Sequence, residues 1–130
     1  DCLKLPTPLK RKLPMSKRSE KAYLLDIQEA IKRTLSYISG LDYSSFARDY
    51  KTQDAVIRNL EIIGEATKSL STDTRLRYSD VPWKSMAGIR DKLIHDYFGV
   101  NIDIIWYVCV DELPKVAVSI EKILQNDQNN

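Results

Sequence analysis

The chain has little of what small binding sites are usually built from: 130 residues hold two Cys, one His, four Gly and five Pro. Cys2 and Cys109 are too few for a disulfide framework or a zinc site, so no metal is expected. So few glycines leave room for few turns and fit long regular elements. No apolar run approaches the roughly 20 residues of a membrane span. The N-terminus lacks the apolar core of a signal peptide, and a cytoplasmic location is expected. The length is that of one domain, which argues against a two-domain enzyme carrying its own cofactor fold.

An excess of charge is missing as well. The net charge is +2, from 20 basic and 18 acidic residues. Residues 1–18 hold six basic groups against Asp1, so residues 19–130 hold 14 basic and 17 acidic ones. A slightly acidic body does not grip nucleic acid over its whole surface. Phosphate chemistry would have to come from a local cluster, or from one doubled by oligomerisation.

Residues 1–14, DCLKLPTPLKRKLP, contain three prolines and no amphipathic period. They are read as an expression leader or a disordered basic arm, with a single helical domain over 15–130. In that domain Leu24, Ile27, Ile31, Leu35 and Ile38 recur at helical spacing and predict a helix from about Arg18 to Ser39. Gly40 suits a left-handed end to that helix. A short turn over Asp42 to Asp49 is expected to point Tyr43 and Phe46 inward. A second helix is predicted from about Thr52 to Leu70, with Val56, Leu60, Ile63 and Leu70 as its stripe. Gly64 within it costs about 1 kcal/mol relative to Ala and fits close packing. Glu65 beside it is either a surface residue or a buried polar anchor.

Residues 71–81 are polar and leave room for one turn of helix. Pro82 suits the first position of a third helix running to about Phe98. Asn101 is placed to cap a fourth, from Ile102 towards Leu124, which Pro114 must kink or break near Val110 to Leu113. The polar end QNDQNN is expected to fray. The fold class is all-α, an antiparallel up-and-down helical bundle.

The chemistry concentrates in Ile89-Arg90-Asp91-Lys92-Leu93-Ile94-His95-Asp96-Tyr97-Phe98-Gly99, which holds the only histidine. Asp91 and His95 are four apart and share a helix face, so the carboxylate can fix the ring tautomer. Arg90 and Tyr97, seven apart, share another face. Arg90 and His95 differ by about 140° around the axis. They converge on one phosphate only through the length of Arg, or when a second copy faces the first. A helix C-terminus and acidic neighbours favour the imidazolium. Cleaving RNA without a metal needs a proton mover, a cation for the phosphoryl oxygens and a group to position the phosphate. His95, Arg90 and Tyr97 supply these. The plainer alternatives are a solvated or capping His95 and a core Tyr97. A metal-dependent version would instead use Asp91, Asp96 and Glu65.

Arg90-Asp91-x-x-x-His95-x-Tyr97 resembles the R-x4-H-x-Y motif of HEPN-domain ribonucleases, and in particular the HepT toxins of HEPN–MNT toxin–antitoxin pairs. Asp54-Ala55-Val56-x-Arg58-x-Leu60-Glu61-Ile62-Ile63-Gly64-Glu65-Ala66 is similar to a helix-two segment of that group. Val81-Pro82-Trp83 leading to Gly88-Ile89-Arg90 resembles its approach to the site, and Leu113-Pro114 its break in the last helix. The resemblance spans residues 19–124. It implies a HEPN-like bundle that dimerises through the motif face. It also implies metal-independent endoribonuclease activity on tRNA or mRNA, with Arg90 and His95 as catalytic pair and Asp91 and Tyr97 in support. The group commonly carries Asn where this chain has Asp91. The implied partner is an MNT-type nucleotidyltransferase antitoxin that places AMP on Tyr97. Two other classes stand beside this reading: a non-catalytic helical adaptor, and a nucleotide- or RNA-binding accessory subunit of a nucleotidyltransferase.

Overall fold

Ser19 starts the first helix by accepting the Ala22 N–H on its hydroxyl, which satisfies one of the donors a helix N-terminus leaves open. The computed structural model describes residues 18–95 and 101–129, with the side chains of residues 90, 94, 95 and 127–129 excepted. The elements are α1 (Glu20–Ile38), α2 (Tyr43–Arg48), α3 (Tyr50–Ser69), α4 (Thr72–Arg77), α5 (Trp83–His95), α6 (Ile102–Tyr107), a π-helical turn (Val108–Glu112) and α7 (Leu113–Asn129). There is no strand among the described residues, and the architecture is an all-α helical bundle. No helix among them is long and apolar enough to cross a membrane. Residues 1–14 lie outside the described residues.

The α1 helix packs against both α3 and α7, while α5 lies on α3. Ile27, Ile31, Phe46, Val56, Leu60, Ile63 and Ile120 are at most 1% exposed and form the centre of the core. The α1 and α3 helices are antiparallel, because Glu20 at the start of α1 reaches the end of α3. Its Oε1 accepts from the Ser71 N–H at 2.8 Å and from the Thr74 hydroxyl at 2.6 Å. Gly40 follows α1 with φ +79°, the left-handed conformation expected there.

Several expectations are corrected. Helices α1 and α3 begin and end within two residues of the predicted bounds, but Leu35 is only partly buried and Thr34 takes the core position beside it. Phe46 is fully buried, whereas Tyr43 is 41% exposed. The Tyr43 ring meets Trp106 edge-on and its hydroxyl donates to Asp103, which ties α2 to α6 instead of filling the core. Gly64 is buried in α3, and Glu65 is on the surface. The Pro82 carbonyl accepts from Met86 at 3.0 Å, so Pro82 caps α5 and Trp83 is its first residue. The end of that helix expected at Phe98 lies outside the described residues.

Asn101 caps α6 through Oδ1, which accepts from Asp103 and Ile104. The disturbance expected from Pro114 near Val110 to Leu113 is present as a π turn, Val108–Glu112, between α6 and α7. The chain widens into the π turn, where the Leu113 N–H reaches back to the Val108 carbonyl. An extra residue in the turn relieves the clash between a proline ring and the carbonyl four residues earlier. The polar C-terminal end, expected to fray, continues α7 to Asn129, since nothing after Pro114 stops a helix.

Candidate active site

The motif helix is held by its first turns. Val81, Trp83 and Met86 are buried, and the Trp83 indole N–H donates to the Tyr78 carbonyl at 2.9 Å. Ile89 and Leu93 continue this stripe along the core. The spacing 83, 86, 89, 93 is that of one helix face, so burying it fixes the rotation of α5. Arg90 and His95 both belong to α5, separated by about 7.5 Å along its axis. Their side chains are outside those described. Asp96 and Tyr97 lie outside the described residues altogether, and with them the expected grouping of Arg90, His95 and Tyr97.

Asp91 has a partner the sequence did not suggest. Its Oδ1 lies 3.1 Å from Lys68 Nζ, in an ion pair between α5 and α3. The expectation from spacing was that Asp91 serves the His95 ring. One of its oxygens fastens the motif helix to its neighbour, next to Arg90, while the His95 ring lies outside the described side chains. Lys68 carried no sequence signal, since a lysine near the end of an amphipathic helix is ordinary. Among the described residues no group of three His, Cys, Asp or Glu side chains is placed to hold a metal ion. Of the carboxylates considered for such a role, Asp91 is paired with Lys68 and Glu65 is exposed on α3.

Among the described residues, two clefts stand out. One, of about 340 Å³, lies between the start of α1 and α3 and includes Tyr23, Arg58 and Glu65. Arg18 crosses it, bonded to Asp26 at 2.6 Å with its guanidinium 5.4 Å from the Tyr23 ring centroid. That bond raises the Arg18 pKa further. The other, of about 470 Å³, runs between α5 and the α6–π segment. Leu60, Ile89 and Leu93 form its floor, and Lys92, Ile104 and Tyr107 reach its rim. Its size falls in the range of small-molecule sites, roughly 300–1,000 Å³. Nothing in the sequence linked these residues, because they come from three separated helices.

Residues 27–123 match the family description "Ribonuclease HepT-like". The chain belongs to the HepT-like ribonuclease family. A Methanocaldococcus jannaschii protein named "Putative RNase" is 45% identical over 112 residues, covering 86% of this chain and 93% of the relative. A Thermococcus cleftensis protein named "Probable ribonuclease HepT" is 44% identical over 107 residues, covering 82% and 97%. A Caldanaerobacter subterraneus subsp. tengcongensis protein, also named "Putative RNase", is 40% identical over 111 residues, covering 85% and 99%. No solved structure matches the chain significantly. The HepT-like match takes in α3, the motif helix and the Pro114 turn, which are the segments whose likeness the sequence suggested.

Proposed function

We propose that this HepT-like chain is the toxin of a toxin–antitoxin pair, a metal-independent endoribonuclease that cleaves tRNA or mRNA with Arg90 and His95. The observation that carries the reading is the family match over residues 27–123, together with Arg90 and His95 on one helix within it. His95 takes the proton from the 2′-OH or delivers one to the leaving 5′-oxygen. Arg90 neutralises charge developing on the phosphoryl oxygens. The attacking 2′-oxygen forms the new bond to phosphorus as the bond to the 5′-oxygen breaks, which leaves a 2′,3′-cyclic phosphate and a 5′-hydroxyl. Two copies facing each other supply both steps from one cleft, so the working form is a homodimer.

Control falls to Tyr97. A nucleotidyltransferase antitoxin of MNT type moves AMP from ATP onto its hydroxyl, with pyrophosphate leaving and the hydroxyl proton lost, which places a phosphate where RNA would bind, paired with Arg90. The test is incubation of the purified protein with tRNA and mRNA in EDTA, alongside His95→Ala. Cleavage by the wild type with cyclic phosphate ends, absent in the variant, is the expected result. Equal cleavage by a folded His95→Ala protein would overturn the mechanism. Light scattering at micromolar concentration checks the dimer.

A further inference from the structure

The groove between α5 and the α6–π segment opens on the helix that carries Arg90 and His95. Gly88 and Lys92 line its α5 side, seven and three positions before His95, which puts all three in one helical register. Its walls are unlike its rim. Ile89 and Leu93 pack on the core, Ile104 is 41% exposed, and Tyr107 is 53% exposed. The Asp111 carboxylate, one turn on, raises the Tyr107 pKa. At the rim stand the Lys92 ammonium, the Glu112 carboxylate and the Asn101 amide, whose oxygen is occupied in capping α6 and whose NH₂ remains a donor. An ideal Cβ on Gly88 would meet no atom within 4 Å, so the groove is open there.

An apolar groove beside an aromatic side chain, edged by one cation, one carboxylate and one amide, suits a flat ring with polar edges that carries a phosphate. We propose that this groove is a nucleobase subsite of the RNA substrate. It takes one base against Tyr107 and Ile104 while Lys92 holds a phosphate on the way to Arg90 and His95. Stacking on an aromatic face is tolerant of base identity. The amide and carboxylate edge supplies what preference there is. The π turn ahead of Pro114 has a part in this, because Val108 and Glu112, both in that turn, line the groove. The inference rests on the proposed ribonuclease activity for the identity of the ligand, though not for the existence of the site.

The experiment is NMR titration of the ¹⁵N-labelled full chain with the four 3′-nucleoside monophosphates, with inorganic phosphate as control. Nucleotides should shift the amides of Gly88, Lys92, Ile104 and Tyr107, and phosphate alone should not. Gly88→Leu, whose side chain fills the opening, should weaken nucleotide binding at least tenfold. Gly88→Ala, folded and nearly isosteric, should bind within about threefold of the wild type, and Tyr107→Ala should bind as poorly as Gly88→Leu. The inference is overturned if nucleotides leave those amides unmoved or if Gly88→Leu binds as well as the wild type. It is also overturned if Gly88→Leu alters only the oligomeric state, which would make the groove a protein interface. Nucleotide binding by a wild type that cleaves no RNA would end the proposed catalysis and leave the subsite standing. Cleavage with a silent groove would do the reverse.

Discussion

Lys68 and Asp91 meet at 3.1 Å across α3 and the motif helix, one residue beyond Arg90. Both side chains are well exposed, at 39% and 58%, so water and salt screen the pair. Lys68→Ala should therefore change unfolding free energy by less than about 1 kcal/mol. Its effect should appear in the placement of the helix. RNA cleavage should fall several-fold while urea denaturation is nearly unmoved, and the difference between wild type and variant should shrink at high salt. Denaturation and cleavage measured on the same samples check this.

His95→Ala and Arg90→Ala should each lower RNA cleavage by roughly 10²–10⁴-fold, the usual scale for removing a proton-transfer group. Neither position belongs to the buried stripe 83, 86, 89 and 93 that anchors the helix. Circular dichroism of both variants should match the wild type. Toxicity on expression should disappear with the activity.

Cleavage should persist in EDTA. The proposed chemistry moves protons through a histidine and stabilises charge with an arginine, and neither step calls for a bound cation. Strict dependence on Mg²⁺ or Mn²⁺ would shift the chemistry to carboxylates such as Asp91, Asp96 and Glu65.

Tyr97→Phe keeps the ring and removes the acceptor oxygen. The variant should stay folded, retain part of its cleavage activity and escape neutralisation by the nucleotidyltransferase and ATP. Intact-mass spectrometry after incubation with the partner should find AMP on the wild type and none on the variant. Equal modification of both would place the acceptor on another residue.

Acid should weaken the bundle through its helix caps. The Asp42 carboxylate accepts the Ser45 N–H, and that of Asp49 accepts the Thr52 hydroxyl and N–H. These bonds hold both carboxyls below their ordinary pKa of 3.8. A depressed folded-state pKa gives stability that is present above the unfolded value and is lost as pH falls through the folded one. Thermal midpoints should be flat above about pH 5 and decline below about pH 4. Asn caps a helix without titrating, so Asp42→Asn and Asp49→Asn together should flatten the decline.

Sequence alone determined the helices, because the signals behind them are local. Stripes at three- and four-residue spacing in α1 and α3, Gly40 beyond α1 and Asn101 ahead of α6 each act within one or two turns. Arg90, His95 and Tyr97 were legible as a motif for the same reason, as fixed spacings within one short segment. Tertiary packing decided what spacing does not encode. Thr34 and Thr67 are fully buried because their hydroxyls donate to the Ala30 and Ile63 carbonyls one turn back, which hides their polarity from the core. Tyr43 leaves the core because Asp103, sixty residues on, accepts its hydroxyl. Pro114 announced a disturbance but not its form, since a kink, a break and a π turn all relieve the same clash. The Lys68–Asp91 pair and the groove beside the motif helix exist only once α3, α5 and α6 are side by side, and distance along the chain hides such neighbours from any local pattern.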